Sequence, residues 1–539
     1  MTIKSLYFSL YFILVCGFAN ELNAQHYYWV YFSDKGEQTL DDVELSARSL
    51  ERRKQQHIAL DFKDIPVEKS YSTYLKSHTQ KPIKSSKWLN ASLVYLDDNQ
   101  LIKLEKEDFI ERIEALPKSY SVLSEYDNIE LKPFENKGLE YGFADPQISQ
   151  LNAKVLHQHH YKGQGMLIAV LDAGFANVDQ HEGFKFAFEE NRIEAGPDFV
   201  LGDGSTVSYQ YSSHGQNVLG LMAGYMPKYY IGTAPKANYL LMRTEDGASE
   251  SLVEESYWLL AAEYADSVGA DIINSSLGYT QFDDSLENHT YEQLDGNQTL
   301  ITKAADWAAS KGILVVNSAG NSGNSPWYYI GAPADGDSVL AVGSVDIDGN
   351  SSGFSSHGPR IDGEVKPNVS AMGQFIYVLS GSKSDASPSQ GTSFSSPVLS
   401  GAAACLWQYL KTKNPSINNM DILSLIEESA HLYPNYDADF GYGIPNFKQI
   451  VPDIENDVLD DKFLGIYPNP FNDKLFVHHQ FKSGDKLKIY NTLAQMLYQY
   501  EFSSSTSQWS FESSDLDMGL YFIQIENQDK TFIYKALRK

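Results

Sequence analysis

The stretch Met166-Leu167-Ile168-Ala169-Val170-Leu171-Asp172-Ala173-Gly174 decides the fold. Six consecutive apolar residues are what a strand covered on both faces shows, and such strands belong to parallel sheets wrapped by helices. Asp172, which closes the run, then falls at the strand's carboxyl end, where open α/β sheets bind ligands. Downstream the pattern repeats. Ser251 with Glu254 opens a helix with Leu252, Tyr257, Leu260, Ala261, Tyr264 and Val268 on its apolar face. Gly269 stops it, and Asp271-Ile272-Ile273-Asn274 returns as a strand. A second helix through Leu300, Ala304, Ala305 and Ala308 stops near Gly312 and is followed by Ile313-Leu314-Val315-Val316. Strand, helix, strand with short connections predicts an α/β domain over residues 140–452, built on a parallel sheet flanked by helices.

The flanks read differently. Residues 25–125 form a small α+β unit: Tyr28–Phe32 and Trp88–Leu96 are strands, and Leu101–Ile113 has the mixed character of an exposed helix. Thr39 with Asp42 resembles a capping box ahead of Leu40, Val43, Ala47 and Leu50 at helical spacing. Arg52-Arg53-Lys54 fits either a processing site or the solvated end of that helix, where cations favour the dipole; the second reading is preferred. Residues 453–462 are an acidic linker with little to bury. Beyond them the period shortens to two. Segments at 474–477, 486–490, 496–502, 509–511, 520–525 and 531–534 are strand-like and separated by turns, so residues 463–539 form a small β-sandwich. The first 24 residues are an export signal: Lys4, the apolar stretch Leu6–Phe18, then Ala24 at the cut.

Charge and cysteine exclude several classes. Among 539 residues, 42 are basic and 70 acidic, a net charge of −28 that repels nucleic acid and anionic membranes. Only two cysteines exist, and Cys16 leaves with the signal, so no intramolecular disulfide forms. Cys405 lies in an apolar run and is structural. A monomer is expected.

Three segments of the α/β region place reactive side chains where such folds put active sites. Asp172 ends its strand; His214 stands in Ser212-Ser213-His214-Gly215, just ahead of a helical run. Ser393 lies in Gly391-Thr392-Ser393-Phe394-Ser395-Ser396-Pro397, whose Gly and Pro set it at a helix amino terminus. Ser318-Ala319-Gly320-Asn321 follows a strand and offers an amide donor. In order and content these segments resemble the subtilisin-like serine proteases, as do Gly232–Ala237 and Ala270–Gly278.

The resemblance implies that Ser393 is the nucleophile, His214 its base and Asp172 the group that orients the imidazole. It makes Asn321 an oxyanion donor, a contribution worth roughly 3–4 kcal/mol of transition-state stabilisation. It assigns Ser276, Leu277 and Gly278 to a strand that pairs with substrate backbone, and Ala319 and Gly320 to the wall of the primary specificity pocket. This chain departs from the family pattern at Ala173, Asn217 and Leu219, where the family usually has a hydroxyl residue, a second histidine and a small residue.

The flanks carry resemblances too. Residues 25–125 are similar to the family's inhibitory propeptides. Tyr467-Pro468-Asn469-Pro470-Phe471-Asn472, Leu487–Asn491 and Met518–Ile525 resemble the carboxy-terminal sorting domain of the type IX secretion route. Together they imply a secreted or surface endopeptidase, made as an inhibited precursor, whose partners are protein or peptide substrates and the type IX machinery. No cofactor is expected. Calcium is a family tendency without an assigned site here: Asp346-Ile347-Asp348-Gly349-Asn350 reads as a hairpin turn, and His157, His159 and His160 as a surface segment. The competing class is a catalytically silent surface binding or adhesion protein on the same scaffold, which need not keep Asp172, His214, Ser393 and Asn321 together.

Overall fold

A computed structural model describes residues 26–79, 81–116, 140–202, 204–454, 465–467, 469–472, 474–513, 516–527 and 531–539. The export-signal expectation and most of the linker lie outside these residues.

Leu167–Asp172 is a central strand with all six residues buried. It belongs to a seven-stranded, wholly parallel sheet. In spatial order the strands are Val369–Met372, Val339–Val345, Leu314–Ser318, Ile272–Ser275, Leu167–Asp172, Asn238–Arg243 and Ile193–Asp198. From the central strand the chain first builds one side, then returns to add four strands on the other, so Asp172 sits at the point of reversal. Helices His214–Ala223 and Thr392–Lys413 pack on one face, and Val253–Val268 and Leu300–Ser310 on the other. Gly269 ends the third of these with φ +96°, the left-handed conformation that closes helices. Pro397 lies inside the Thr392–Lys413 helix, beyond its first turn.

The amino-terminal unit is a four-stranded antiparallel sheet with short helices. Its strand His26–Phe32 is buried on both faces in period two. Trp29 and Tyr31 join the core around the helices Val253–Val268 and Leu300–Ser310, while Tyr28, Val30 and Phe32 fill the unit's own core. Two expectations are corrected here. Thr39 and Asp42 do form a capping box, but on a single 3₁₀ turn, and the helix proper is Ala47–Gln55, capped by Ser46. The segment 101–113 is not one helix: Asp98–Leu104 is helical, and Ile110–Ala115 is a strand paired with His26–Phe32.

A third correction concerns charge. Arg52 and Arg53 are not a solvated helix end; they are 4% and 1% exposed. Both contact the Asp266 carboxylate of the Val253–Val268 helix, and Arg53 also pairs with Asp64 at 2.7 Å. Stripping one partner from a buried pair of this kind costs about 3–5 kcal/mol, because the other charge is left in low dielectric. His157 is likewise buried, not a surface residue: its Nε2 meets the Thr233 carbonyl at 2.9 Å, and burial pushes its pKa down to about 4. Cys405 stands beside it, buried, with its thiol donating to the same carbonyl and its pKa pushed up by burial. Ile454 is fully buried in the main core, so the start of the acidic stretch belongs to the α/β domain.

Asp346–Asn350 is a turn: the Asp346 carboxylate accepts from the Asp348 and Asn350 N–H groups at 2.9 Å, and Val345 bridges Ser351. The tail forms a three-stranded and a four-stranded antiparallel sheet enclosing Leu475, Val477, Leu487, Ile489, Ile523 and Ile525.

Candidate active site

Four loops at the carboxyl edge of the sheet meet around Asp172. Its carboxylate is fully buried and receives the Ala173 N–H at 2.8 Å. His214 begins the helix His214–Ala223 and turns Nδ1 toward both Asp172 oxygens, at 3.0 and 2.9 Å. That orientation leaves Nε2 as the outward nitrogen, on a side chain 26% exposed. Burial works against charge on the imidazole, but the Asp172 carboxylate and its hydrogen bond outweigh it, so the His214 pKa is raised above 6.5.

Ser393 is the second residue of the Thr392–Lys413 helix. Gly391 before it holds φ +146°, and a Cβ there would stand 3.7 Å from the Asn321 amide nitrogen. The Phe394 ring lies 5.8 Å from that of His214, which brings the serine and histidine segments side by side. The Ser393 hydroxyl donates to the Ser276 carbonyl at 3.2 Å rather than to His214. Nucleophile–base contacts often tighten only once substrate binds. The Ser276 hydroxyl in turn donates to the Ser393 carbonyl at 2.8 Å, tying the helix start to the segment that follows strand Ile272–Ser275.

Asn321 is fixed by a residue the sequence reading did not single out. Its Oδ1 accepts from the Thr392 N–H and hydroxyl, both at 2.9 Å. Because the backbone N–H can only donate, the amide must present oxygen to Thr392 and keep its NH₂ for the opposite side. Gly320 holds φ +111°, and a Cβ there would press on the Ser356 hydroxyl at 2.8 Å. Ala319 is buried with Ile330, Ala334 and Ala341. Across from them, the Leu277 carbonyl accepts from Asn317 Nδ2 at 2.9 Å, and Gly278 is exposed and open.

The departures fit their surroundings. Leu219 is fully buried and fills core, and Ala173 offers its carbonyl to Arg243 Nε at 3.2 Å. Asn217 keeps a buried Oδ1 with no protein partner among the described residues.

A carboxyl cluster beside the site has no counterpart in the sequence reading. Glu245, just past strand Asn238–Arg243, lies with Glu250 and Glu254, ligand oxygens within 4.8 Å of one another. Burial raises all three, joined by Asp283 at Glu250 and by the neighbouring glutamates at Glu245 and Glu254: Glu250 to about 7, Glu254 to about 8, and Glu245 well above the carboxylate range. The Tyr279 hydroxyl donates to Glu245, and the Asp246 and Ser251 N–H groups donate to Glu254. It is a hydrogen-bonded acid cluster, and no metal is assigned to it.

An acid–imidazole pair beside a serine at a helix amino terminus, on a parallel α/β sheet, is the arrangement a serine hydrolase uses. The family relationships agree. Residues 163–443, more than half of the chain, match the subtilase family of S8 peptidases, and the chain belongs to it. Residues 27–130 match the S8 propeptide domain of Bacteroidota, and residues 465–538 the secretion-system C-terminal sorting domain. Subtilisin E of Bacillus subtilis (strain 168) is 28% identical over 363 residues, 67% of this chain and 80% of that protein. Subtilisin of Bacillus pumilus is 29% identical over 302 residues, 56% of this chain and 95% of that one. A solved structure, that of the prenylagaramide maturation protease PagA, aligns with a TM-score of 0.44 and 24% identity, covering 56% of this chain and 98% of that one. The protein is therefore a subtilisin-like serine endopeptidase, a precursor with a propeptide and a type IX sorting tail, exported to the cell surface or secreted.

Proposed function

We propose that this endopeptidase cuts extended polypeptides through Ser393, His214 and Asp172. The Ser393 oxygen attacks the scissile carbonyl carbon while its proton passes to His214 Nε2. Asp172 keeps the Nδ1 proton in place and stabilises the imidazolium that forms. Charge on the former carbonyl oxygen is taken up by the Asn321 amide and the Ser393 N–H. The imidazolium returns its proton to the departing amine, and water then hydrolyses the acyl-enzyme by the same relay. Ser276, Leu277 and Gly278 pair with the substrate backbone, and Ala319 and Gly320 wall the pocket for the residue before the cut. Residues 25–125 hold the precursor inactive, and the tail directs export through the type IX machinery. No cofactor takes part in this scheme.

The observation that carries the reading is the His214 Nδ1 contact to both Asp172 oxygens beside the Gly391–Pro397 helix start. Labelling the secreted, matured protein with a fluorophosphonate, followed by mass spectrometry, should place the adduct on Ser393. The adduct should vanish after heat denaturation and in His214→Ala. No adduct on folded, propeptide-free protein would overturn the reading in favour of a silent scaffold.

A further inference from the structure

The amino-terminal unit touches the catalytic domain through a feature that neither the chemistry nor a plugged cleft requires. The carboxyl ends of helices Val253–Val268 and Leu300–Ser310 each leave backbone carbonyls without partners in their own helix. One short helix of the amino-terminal unit, Ala47–Gln55, and its flanks supply donors to the end of the first and to the turn just past the second. Ser46 donates its N–H to the Ser267 carbonyl at 2.9 Å and its hydroxyl to that of Val268 at 2.7 Å. Arg48 Nε donates to the Gly269 carbonyl at 2.8 Å, and Arg52 to that of Ala270. Past the end of the other helix, Gln56 Nε2 donates to the Gly312 carbonyl at 2.9 Å.

Charge follows the same geometry. Three arginines meet the negative end of a helix dipole, and two fully buried carboxylate contacts, Arg52 and Arg53 with Asp266, anchor them. Arg48 pairs with Asp271, and Lys311 of the catalytic domain reaches back to Asp61 and Asp64. Fit is close as well as charged: a Cβ on Gly269 would stand 2.6 Å from the Ser49 backbone nitrogen. Asp266, Gly269 and Asp271 all precede strand Ile272–Ser275, so this contact lies at the amino edge of the sheet, opposite Asp172 and Ser393.

We propose that the Ala47–Gln55 helix is the recognition element of the propeptide: with its flanks it caps the Val253–Val268 helix, holds the turn after Leu300–Ser310 and locks onto Asp266, so that docking is held at the edge of the sheet remote from the active site. The proposal rests on reading residues 26–116 as an inhibitory propeptide. Because the Asp266 contacts are buried, salt screens them little, and the lock discriminates by geometry rather than by net charge.

The test uses the full chain carrying Ser393→Ala, which cannot process itself, and reads amide hydrogen exchange of residues 26–116. Asp266→Asn should speed exchange of residues 26–32 and 91–96 at least tenfold while leaving residues 314–318 unchanged. Arg52→Met should do the same, and the double variant should exchange more slowly than the product of the single effects predicts. In 1 M NaCl the parent chain should stay within threefold of its low-salt rate. Independent multiplication of the two effects, unchanged exchange in Asp266→Asn, or a tenfold loosening by salt would each overturn the lock. Should Asp266→Asn fail to fold, Arg48→Met with Gln56→Ala removes only contacts made to the catalytic domain; unchanged exchange in that chain also overturns it. In the chain retaining Ser393, Asp266→Asn should shorten the lag before peptidase activity appears. Faster exchange with an unchanged lag would support the lock and remove the inhibitory reading beneath it.

Discussion

The proposed chemistry turns on one imidazole and the carboxylate that holds it. Attack requires neutral His214, and its pKa is raised because Asp172 outweighs the effect of burial. Activity should therefore fall as pH drops through a value above 6.5, the ordinary histidine value. Asp172→Asn removes the charge that raises it, so the acid limb of the kcat/KM profile should move to lower pH. The plateau rate should drop by about 10⁴-fold, since the tautomer is no longer enforced. A pH–rate profile on a peptide substrate checks both. Stability carries the opposite sign. A raised histidine pKa stabilises the fold below the ordinary value, and that contribution is lost as pH rises through the raised one. Asp172→Asn should thus cost more melting temperature at pH 5 than at pH 9. The residues proposed to act here stand out in the sequence because each sits in a short segment of characteristic neighbours. Thr392 was not singled out, since its work is to face Asn321, 71 positions away.

Among the elements, the helix Val253–Val268 is the most heavily used. Its amino end carries Glu254 and the neighbouring Glu250, and its carboxyl end carries Asp266. Glu250 is held up to about 7 by burial and Asp283, so the native state binds a proton that the unfolded chain releases near the ordinary 4.5. Stability should fall as pH rises from about 4.5 to about 7 on this account. Glu250→Gln should raise Tm by about 2 °C or more at pH 8 and leave it unchanged at pH 4, measured by calorimetry. Elements were legible wherever periodicity was clean. The strand Leu167–Asp172 is as expected because it buries everything; the helix ending at Gly269 is also where expected, but it is buried nearly all round, and Tyr264, expected on its apolar face, is exposed. Ile110–Ala115 was misread because its exposed and half-buried residues do not alternate: only Ile110 and Ile113 point inward, three apart, and the pairing slips between Tyr31 and Phe32.

At the scale of the molecule, three units do separable work. The tail's two sheets enclose their own apolar core, distinct from that of the catalytic domain. Deleting residues 463–539 should block passage across the outer membrane while leaving peptidase activity in the retained protein. Fractionation with activity assays checks this, and normal release of the truncated chain would refute the sorting role. The amino-terminal unit is different in kind, because Trp29, Tyr31 and Trp88 share a core with Trp258 and Leu260 of the catalytic domain. Removing it strips a face and not merely a tether.

Motif order, the parallel α/β class, the acidic charge and the flanking units were all determined by the sequence itself. Each depends on residues close together in the chain: a strand's apolar run and the polar residue that ends it are read in one window. What only the tertiary structure decided depends on partners remote in sequence. Arg52 carries nothing in its neighbourhood to announce burial; it is buried because Asp266 waits 214 positions away with a carboxylate to neutralise it. His157 is neutral and enclosed because Thr233 and Cys405 close over it, and Glu250 holds its proton because burial and Asp283 act on it in low dielectric. Burying a charge is costly unless a partner meets it, and only the fold says where that partner is.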